Sequence, residues 1–369
     1  RAVASTMTLR RDAFPASPVN ARLSWALRLA LLLQCSPVSS HDIYFSRLNL
    51  QNVIFDQAID TCWFEEAQLR NAKFNQPMKR VSFKKTDLRE VYFRSFMEGS
   101  SIMGLQQAIL STDSFKALIR TYTLDFSEAD LREVNFKNPQ IKINLALLNF
   151  AKADLRSVDF SQLDLSYLIL TGANLENANL ENIFFEKTVI DAQTNLKGSQ
   201  LSIYLVNYAY QKNIRNFDKC NIYFDMVFLE IETFFFSRAS FKAAKFMGKI
   251  LFVDFADCDL SEAGFNQKSV NRNAAEFIMD ISIKIKKSQL NKVVFSHVNF
   301  LENSEFTEST LKNISFDNVK MQAKTLFKFY AAGQRDFKGV DDLKGAISQN
   351  LTPFPVLDAE LNKQTFIHR

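Results

Sequence analysis

The sequence predicts an all-β solenoid, a stack of four-sided coils with a helical segment at each end, and three observations lead there. The first is a period of five. Large apolar residues recur as Phe45, Leu50, Phe55, then Phe64, Leu69, Phe74, then Phe83, Leu88, Phe93. The longest unbroken run is Leu145, Phe150, Leu155, Phe160, Leu165, Leu170, Leu175, Leu180, Phe185, Ile190. Neither a helix nor a simple strand has that period, so the chain must turn a corner once per repeat. The second is a small residue two places before the large one, as at Ala67, Ala72, Val81, Thr86, Ala129, Ala153, Ala173, Ala178, Ala239, Ala244 and Ala263. Both positions lie on one face of an alternating backbone, inside a narrow bore. The third is a longer repeat. The Phe-Leu-Phe triplets begin at 45, 64 and 83, nineteen residues apart, with Ile102 continuing the series and Ile59, Met78 and Met97 supplying a fourth corner. Four corners close one coil, and successive coils stack at the strand spacing of about 4.8 Å.

Residues 1–42 precede the repeats. Residues 23–34 are apolar apart from Arg28 and Gln34 and follow Arg10, Arg11 and Arg22. They read as a helix plugging the first coil or, alternatively, as a secretory signal cut near Ser40. Repeats occupy 43–321. The period lapses over 98–123, where Leu105, Ala108, Ile109 and then Phe115, Leu118, Ile119 suggest short helical faces. It resumes at Phe126, Leu131 and Phe136 and lapses again over 202–234, a stretch dense in Tyr and Phe. It returns at Phe241, Phe246, Phe255, Leu260 and Phe265. Near 275–285 the alternation Ile281, Ile283, Ile285 implies a shift of register that turns Asp280 outward, since a buried lone carboxylate is costly. The last runs are Leu290, Phe295, Phe300 and then Phe306, Leu311, Phe316, Met321. From 322 to 369 the pattern is helical, with Leu326, Phe327, Phe329 and Tyr330 on an apolar face. A solenoid end needs a cap, and this segment suits one, although the same face could form a dimer seam.

Segments such as Ala153-Asp154-Leu155-Arg156-Ser157 and Ala173-Asn174-Leu175-Glu176-Asn177 resemble the A-(D/N)-L-x-x unit of the pentapeptide-repeat family. The resemblance covers roughly residues 43–321 and implies a right-handed quadrilateral β-helix. The frequent Phe corners and the breaks of phase depart from the usual family pattern.

Chemistry is harder to find. His41, His297 and His368 are scattered, no glycine-rich phosphate loop is present, and the acidic residues hold fixed outward positions of the repeat. A filled bore offers no pocket with convergent polar groups. The expectation is therefore a non-enzymatic protein with no catalytic, cofactor or metal site and no small-molecule substrate. Cys258 and Cys220 fall at small interior positions, and Cys35 and Cys62 lack metal spacing. That cysteine usage fits a reducing, cytoplasmic setting, with secretion or delivery to a host as the alternative. No stretch is long enough to span a bilayer.

The expected partner is another protein. The sequence points to residues 98–123 and 202–234 as recognition segments on a rigid scaffold. The family resemblance adds two readings, an adaptor of the kind some bacteria deliver into host cells and a DNA mimic protecting DNA gyrase. A mimic needs phosphate-like charge. Here Lys and Arg outnumber Asp and Glu by 45 to 40, for a net charge of +5. The basic spots at Lys79-Arg80, Lys84-Lys85 and Lys284, Lys286, Lys287 are too dispersed in sequence to form a groove, which argues against nucleic acid as the partner.

Overall fold

In a computed structural model the chain is a β-solenoid, mostly short parallel strands with few helices. The structure describes residues 43–56, 58–94, 102–119, 125–141, 144–224, 234–248, 250–266, 279–301 and 304–321, with residues 325, 328 and 329. The segment 1–42, Met97 and most of 322–369 lie outside the described residues, so the capping readings made on them are not addressed. Two compact units are present and are described separately. One comprises Arg1–Val158, Ser166–Ala173 and Lys187–Val189. The other comprises Asp159–Leu165, Asn174–Glu186 and Ile190–Arg369.

In the first unit, Ile43–Tyr44, Ile59–Trp63, Met78–Ser82 and Ile102–Gly104 form one parallel ladder, and Ile54–Phe55, Lys73–Phe74 and Tyr92–Phe93 form another. The bore between them is filled by phenyl rings. Phe74 stacks on Phe55 at 4.6 Å and on Phe93 at 5.4 Å, and meets Phe64 and Phe83 edge-on, each at 5.6 Å. Corners are tight turns. The N–H of Leu48 donates to the carbonyl of Phe45 at 3.2 Å, and the residue between, Arg47, has φ of 61°. A positive φ at the third turn position is the type II pattern, which costs a non-glycine residue some strain. It recurs at Asn52, Glu66, Asn71, Lys85 and many later corners.

Two details differ from the sequence reading. Ile102 pairs with Val81, which pairs with Cys62, so it belongs to the small-residue column; Leu105 is the rung that follows Phe83. This coil is three residues longer than the one before: two of them fall between Phe93 and Ile102 and the third at the register shift between Val81 and Ser82, so the five-residue count is off by three. Residues 102–111 are consequently not an insertion. Ile102–Gly104 and Ile109–Ser111 are ladder strands, with Leu105, Ala108 and Leu110 buried in the bore. Among the described residues of this segment the helix is Thr112–Ile119 (α1). It replaces one side of a coil and sends Phe115 inward, onto Phe126 at 4.8 Å and Phe136 at 5.1 Å.

The second unit has four sides defined by register. Leu180, Leu201, Ile222, Phe246, Phe265, Phe295 and Phe316 follow one another as paired residues along one side. Phe236, Phe255, Ile285 and Phe306 do so on another. Bridges at Asn216, Ser240, Asp259 and Gln289, continued to Thr310, mark the side whose interior residues are Phe217, Phe241, Leu260, Leu290 and Leu311. Ile281, Phe300 and Met321 mark the fourth. Asp280 faces out and accepts a hydrogen bond from Asn299 Nδ2 at 2.7 Å, while Ile281, Ile283 and Ile285 are buried.

A second helix, Ile203–Gln211 (α2), again replaces a coil side. Ser202 caps it by accepting from the Leu205 N–H at 3.2 Å, and Ile203, Leu205, Val206 and Ala209 face the bore. At the C-terminal coils Phe329 is fully buried, 4.1 Å from Phe306 and 5.3 Å from Phe316 between ring centres. Beside it, Lys328 Nζ donates to the Ser304 carbonyl at 2.5 Å.

Candidate protein-interaction surface

The core rungs read from the sequence all lie inside the coils. Phe45, Phe64, Phe83, Leu50, Leu69, Leu88, Phe55, Phe74, Phe93, Phe126, Leu145, Phe150, Leu155, Phe160, Leu175, Leu180, Phe255, Leu260, Phe265, Phe295 and Phe300 are buried. Cys62, Cys220 and Cys258 occupy small interior positions as free thiols. Burial pushes the thiols of Cys62 and Cys220 up to about 12, so neither is a nucleophile near neutral pH. His297 stands at a corner with its Nδ1 2.9 Å from Ser296 Oγ, and Asp317 Oδ2 accepts from that same hydroxyl at 2.8 Å. The carboxylate thus contacts the serine rather than orienting the imidazole, which is not a relay geometry. Among the described residues no group of three His, Cys, Asp or Glu is placed to hold a metal ion, and no helix is long and apolar enough to cross a membrane.

The two recognition segments fare differently. α1 buries Ser114, Phe115, Leu118 and Ile119, and Lys116 is tied to Asp113 and Gln140. α2 buries as many residues, but its outer face is aromatic. Its bore-facing residues leave Tyr204, Asn207, Tyr208 and Gln211, spaced three and four apart, on the outer face. Tyr208 lies 5.6 Å from Phe185 and beneath the Lys212 ammonium at 5.4 Å; Tyr204 meets Phe234 edge-on at 5.5 Å. Partial burial raises the Tyr208 phenol above its ordinary value. Phe184, on the strand position next to Phe185, is 68% exposed.

Phe185 was counted as a rung from its spacing, yet it is only half-buried, because α2 displaces the coil side that would have covered it. The signal available in the sequence is the Phe184-Phe185 pair itself, which puts a phenyl group where the two preceding repeats carry Asn174 and Asn179. The helix holding these rings is firmly seated. Arg215 lies over the Tyr210 ring at 4.1 Å and donates from Nη1 to the Tyr210 carbonyl at 2.6 Å.

A second exposed apolar group lies in the first unit. Ile169 and Val189 take the outward column begun by Asp125 and Asn149, whose side chains accept the N–H two residues on. The two aliphatic residues give up that bond. Tyr167, half exposed beside them, holds φ of 64° and accepts from Lys187 Nζ at 3.1 Å.

Comparison with known proteins bears on the fold. The family model for pentapeptide repeats, eight copies, matches residues 143–182 and 169–191. No curated protein matches the chain. Among solved structures it is similar to HetL, a pentapeptide repeat protein involved in heterocyst differentiation regulation from the cyanobacterium Nostoc sp. strain PCC 7120. The identity is 17%, over 76% of this chain and 92% of that one, with a TM-score of 0.17.

Proposed function

This chain is a pentapeptide-repeat protein, and we propose that it acts without catalysis, as a scaffold that binds another protein through the outer face of α2. The observation carrying this reading is the aromatic surface of Phe184, Phe185, Tyr204 and Tyr208, set on a helix whose opposite face is locked into the bore. Large rigid rings lose little conformational freedom on binding and dominate interface energetics. The adaptor reading suits this arrangement better than duplex mimicry, because the site is aromatic rather than anionic.

The test is capture of a partner from native lysate by the full chain and by a Phe184→Ser, Tyr208→Ala variant. The variant must first match the parent in circular dichroism and thermal midpoint. Loss of the partner by the variant supports the site. Equal capture by both proteins removes it.

A further inference from the structure

One corner of the second unit is a ridge of lysines that, among the described residues, have no ion-pair partners. The corner follows the interior residues Leu196, Phe217, Phe241, Leu260, Leu290 and Leu311, whose coils stack through hydrogen bonds from Gly198 N to Asp218 O, Lys219 N to Lys242 O, Ala243 N to Ser261 O, Glu262 N to Asn291 O and Lys292 N to Lys312 O. Lys197, Lys219, Lys242 with Lys245, Lys292 and Lys312 therefore lie in five of six rows along one edge, about 24 Å long at the strand spacing, and the fourth row carries Ser261 and Glu262 instead. Among the described residues none of the six makes a salt bridge.

Carboxylates on the ridge are few and mostly engaged. Asp218 accepts from Ser240 Oγ at 2.6 Å and from the Lys242 N–H at 3.0 Å; Asp259 accepts the Ser261 N–H at 2.9 Å. Glu262 is the third. The equivalent corner of the first unit is built the other way. There Arg70 pairs with Glu90, Arg89 with Asp87 and Glu133, Arg132 with Asp130 and Asp154, and Arg156 with Asp154. The same backbone thus carries an edge of arginine–carboxylate pairs in one unit and, in the other, an edge where lysines outnumber carboxylates and form no ion pair among the described residues.

We propose that the lysine ridge grips the phosphate backbone of a nucleic acid without regard to sequence. Lysine is a compact, mobile point charge, suited to phosphates rather than to planar bidentate recognition. Where this chain meets its own carboxylates along the equivalent corner, it uses arginine. The side chains flanking the ridge include the amides Gln200, Asn216, Asn221 and Asn313, which can donate to phosphate oxygens. Val294, at 39% exposed, is the one large apolar side chain exposed beside it among the described residues, so neither a membrane-inserting group nor a protein hot spot is present. The row is linear, as long as about seven base steps of one strand. This edge is distinct from the aromatic face of α2 and stands or falls independently of it.

The test uses the full chain and labelled oligonucleotides of about 20 residues, single-stranded and duplex, in two unrelated sequences, read by fluorescence anisotropy. Binding should be alike for both sequences and fall by about 10³-fold between 50 and 200 mM salt if all six lysines engage. Replacing Lys219, Lys242 and Lys245 by Gln should lower the slope of log affinity against log salt by about three. The pair Lys73→Gln, Lys79→Gln in the first unit should leave the slope unchanged. Of the substituted residues Lys219 alone holds a left-handed corner, a position Gln already occupies at Gln107 and Gln162, and circular dichroism checks that the variants keep the fold. An unchanged slope in the triple variant overturns the proposal. So does tighter, ridge-dependent binding to polyglutamate or to phosphatidylserine vesicles, which would reassign the ridge to an acidic protein or a membrane.

Discussion

The phenolic oxygen of Tyr210 accepts the Ser237 N–H at 2.9 Å and donates to the Ser237 carbonyl at 3.3 Å. One side chain of α2 therefore closes both backbone groups of a strand residue in the next coil, with its ring edge-on to Phe236 at 5.2 Å. Tyr210→Phe keeps the ring and strands both groups. The site is partly open to water, so the expected cost is about 1 kcal/mol, read as a lower urea midpoint with unchanged m-value.

Phe74→Ala should cost about 3–5 kcal/mol, because the ring touches four others and the bore around it cannot collapse without moving two ladders. Stability in a repeat stack is a sum over neighbours. Hydrogen exchange should therefore show lost protection concentrated in residues 43–94, with the strands of 234–321 little changed. Uniform loss across both would count against local coupling.

The buried thiols predict an alkaline limit. In the folded chain Cys62 and Cys220 are raised to about 12 from an ordinary 9.0, so the folded state holds its protons where the unfolded state releases them. That contribution is complete below pH 9 and is lost as pH rises from 9 toward 12. Denaturant midpoints measured across this range should fall with pH, and Cys62→Ala should flatten the fall. At pH 8 neither thiol should react with iodoacetamide until the chain is unfolded.

Asp87 and Asp130 are held below the usual carboxylate range, chiefly by hydrogen bonds from Arg89 and Arg132 respectively. Their stabilisation is present above an ordinary value of 3.8 and disappears as pH drops below it. These pairs are half exposed, so Arg89→Ala should cost no more than about 1 kcal/mol, and less as salt is added. A large effect that salt does not reduce would show that Arg89 holds the coils by something other than charge.

Tyr167 is a bulky residue in a left-handed conformation. Tyr167→Asn should raise stability by roughly 1 kcal/mol through relief of that strain, even though the Lys187 contact is lost. A thermal midpoint above that of the parent is the expected result.

How far the fold can be read ahead depends on what sets each position. From Leu145 to Leu180 each corner is one turn and each rung one residue, so counting by five finds the bore. At Ile102 the count goes astray because the coil carries two extra residues between Phe93 and Ile102, and a third at the register shift beside Val81, that no side chain advertises. Helical spacing at Phe115, Leu118 and Ile119 was legible, but not that α1 buries those residues in the bore while α2 displays Tyr204 and Tyr208. The lysine ridge could not be read at all. Its members are separated by three to about fifty residues along the chain and meet only through coil register, which varies from row to row.

The ladder of single coils in the first unit also has a mechanical consequence. Phe45, Phe64 and Phe83 stand one coil apart, and each coil clings to the next through a few backbone bonds and one layer of rings. Pulled by its ends, such a stack does not shear all its bonds together. It peels one layer at a time, the first two steps each releasing nineteen residues, or about 65 Å of extended chain, and the coil from Phe83 to Leu105 twenty-two. The unit should respond to tension as a spool with a series of small yields rather than as a block with one large one.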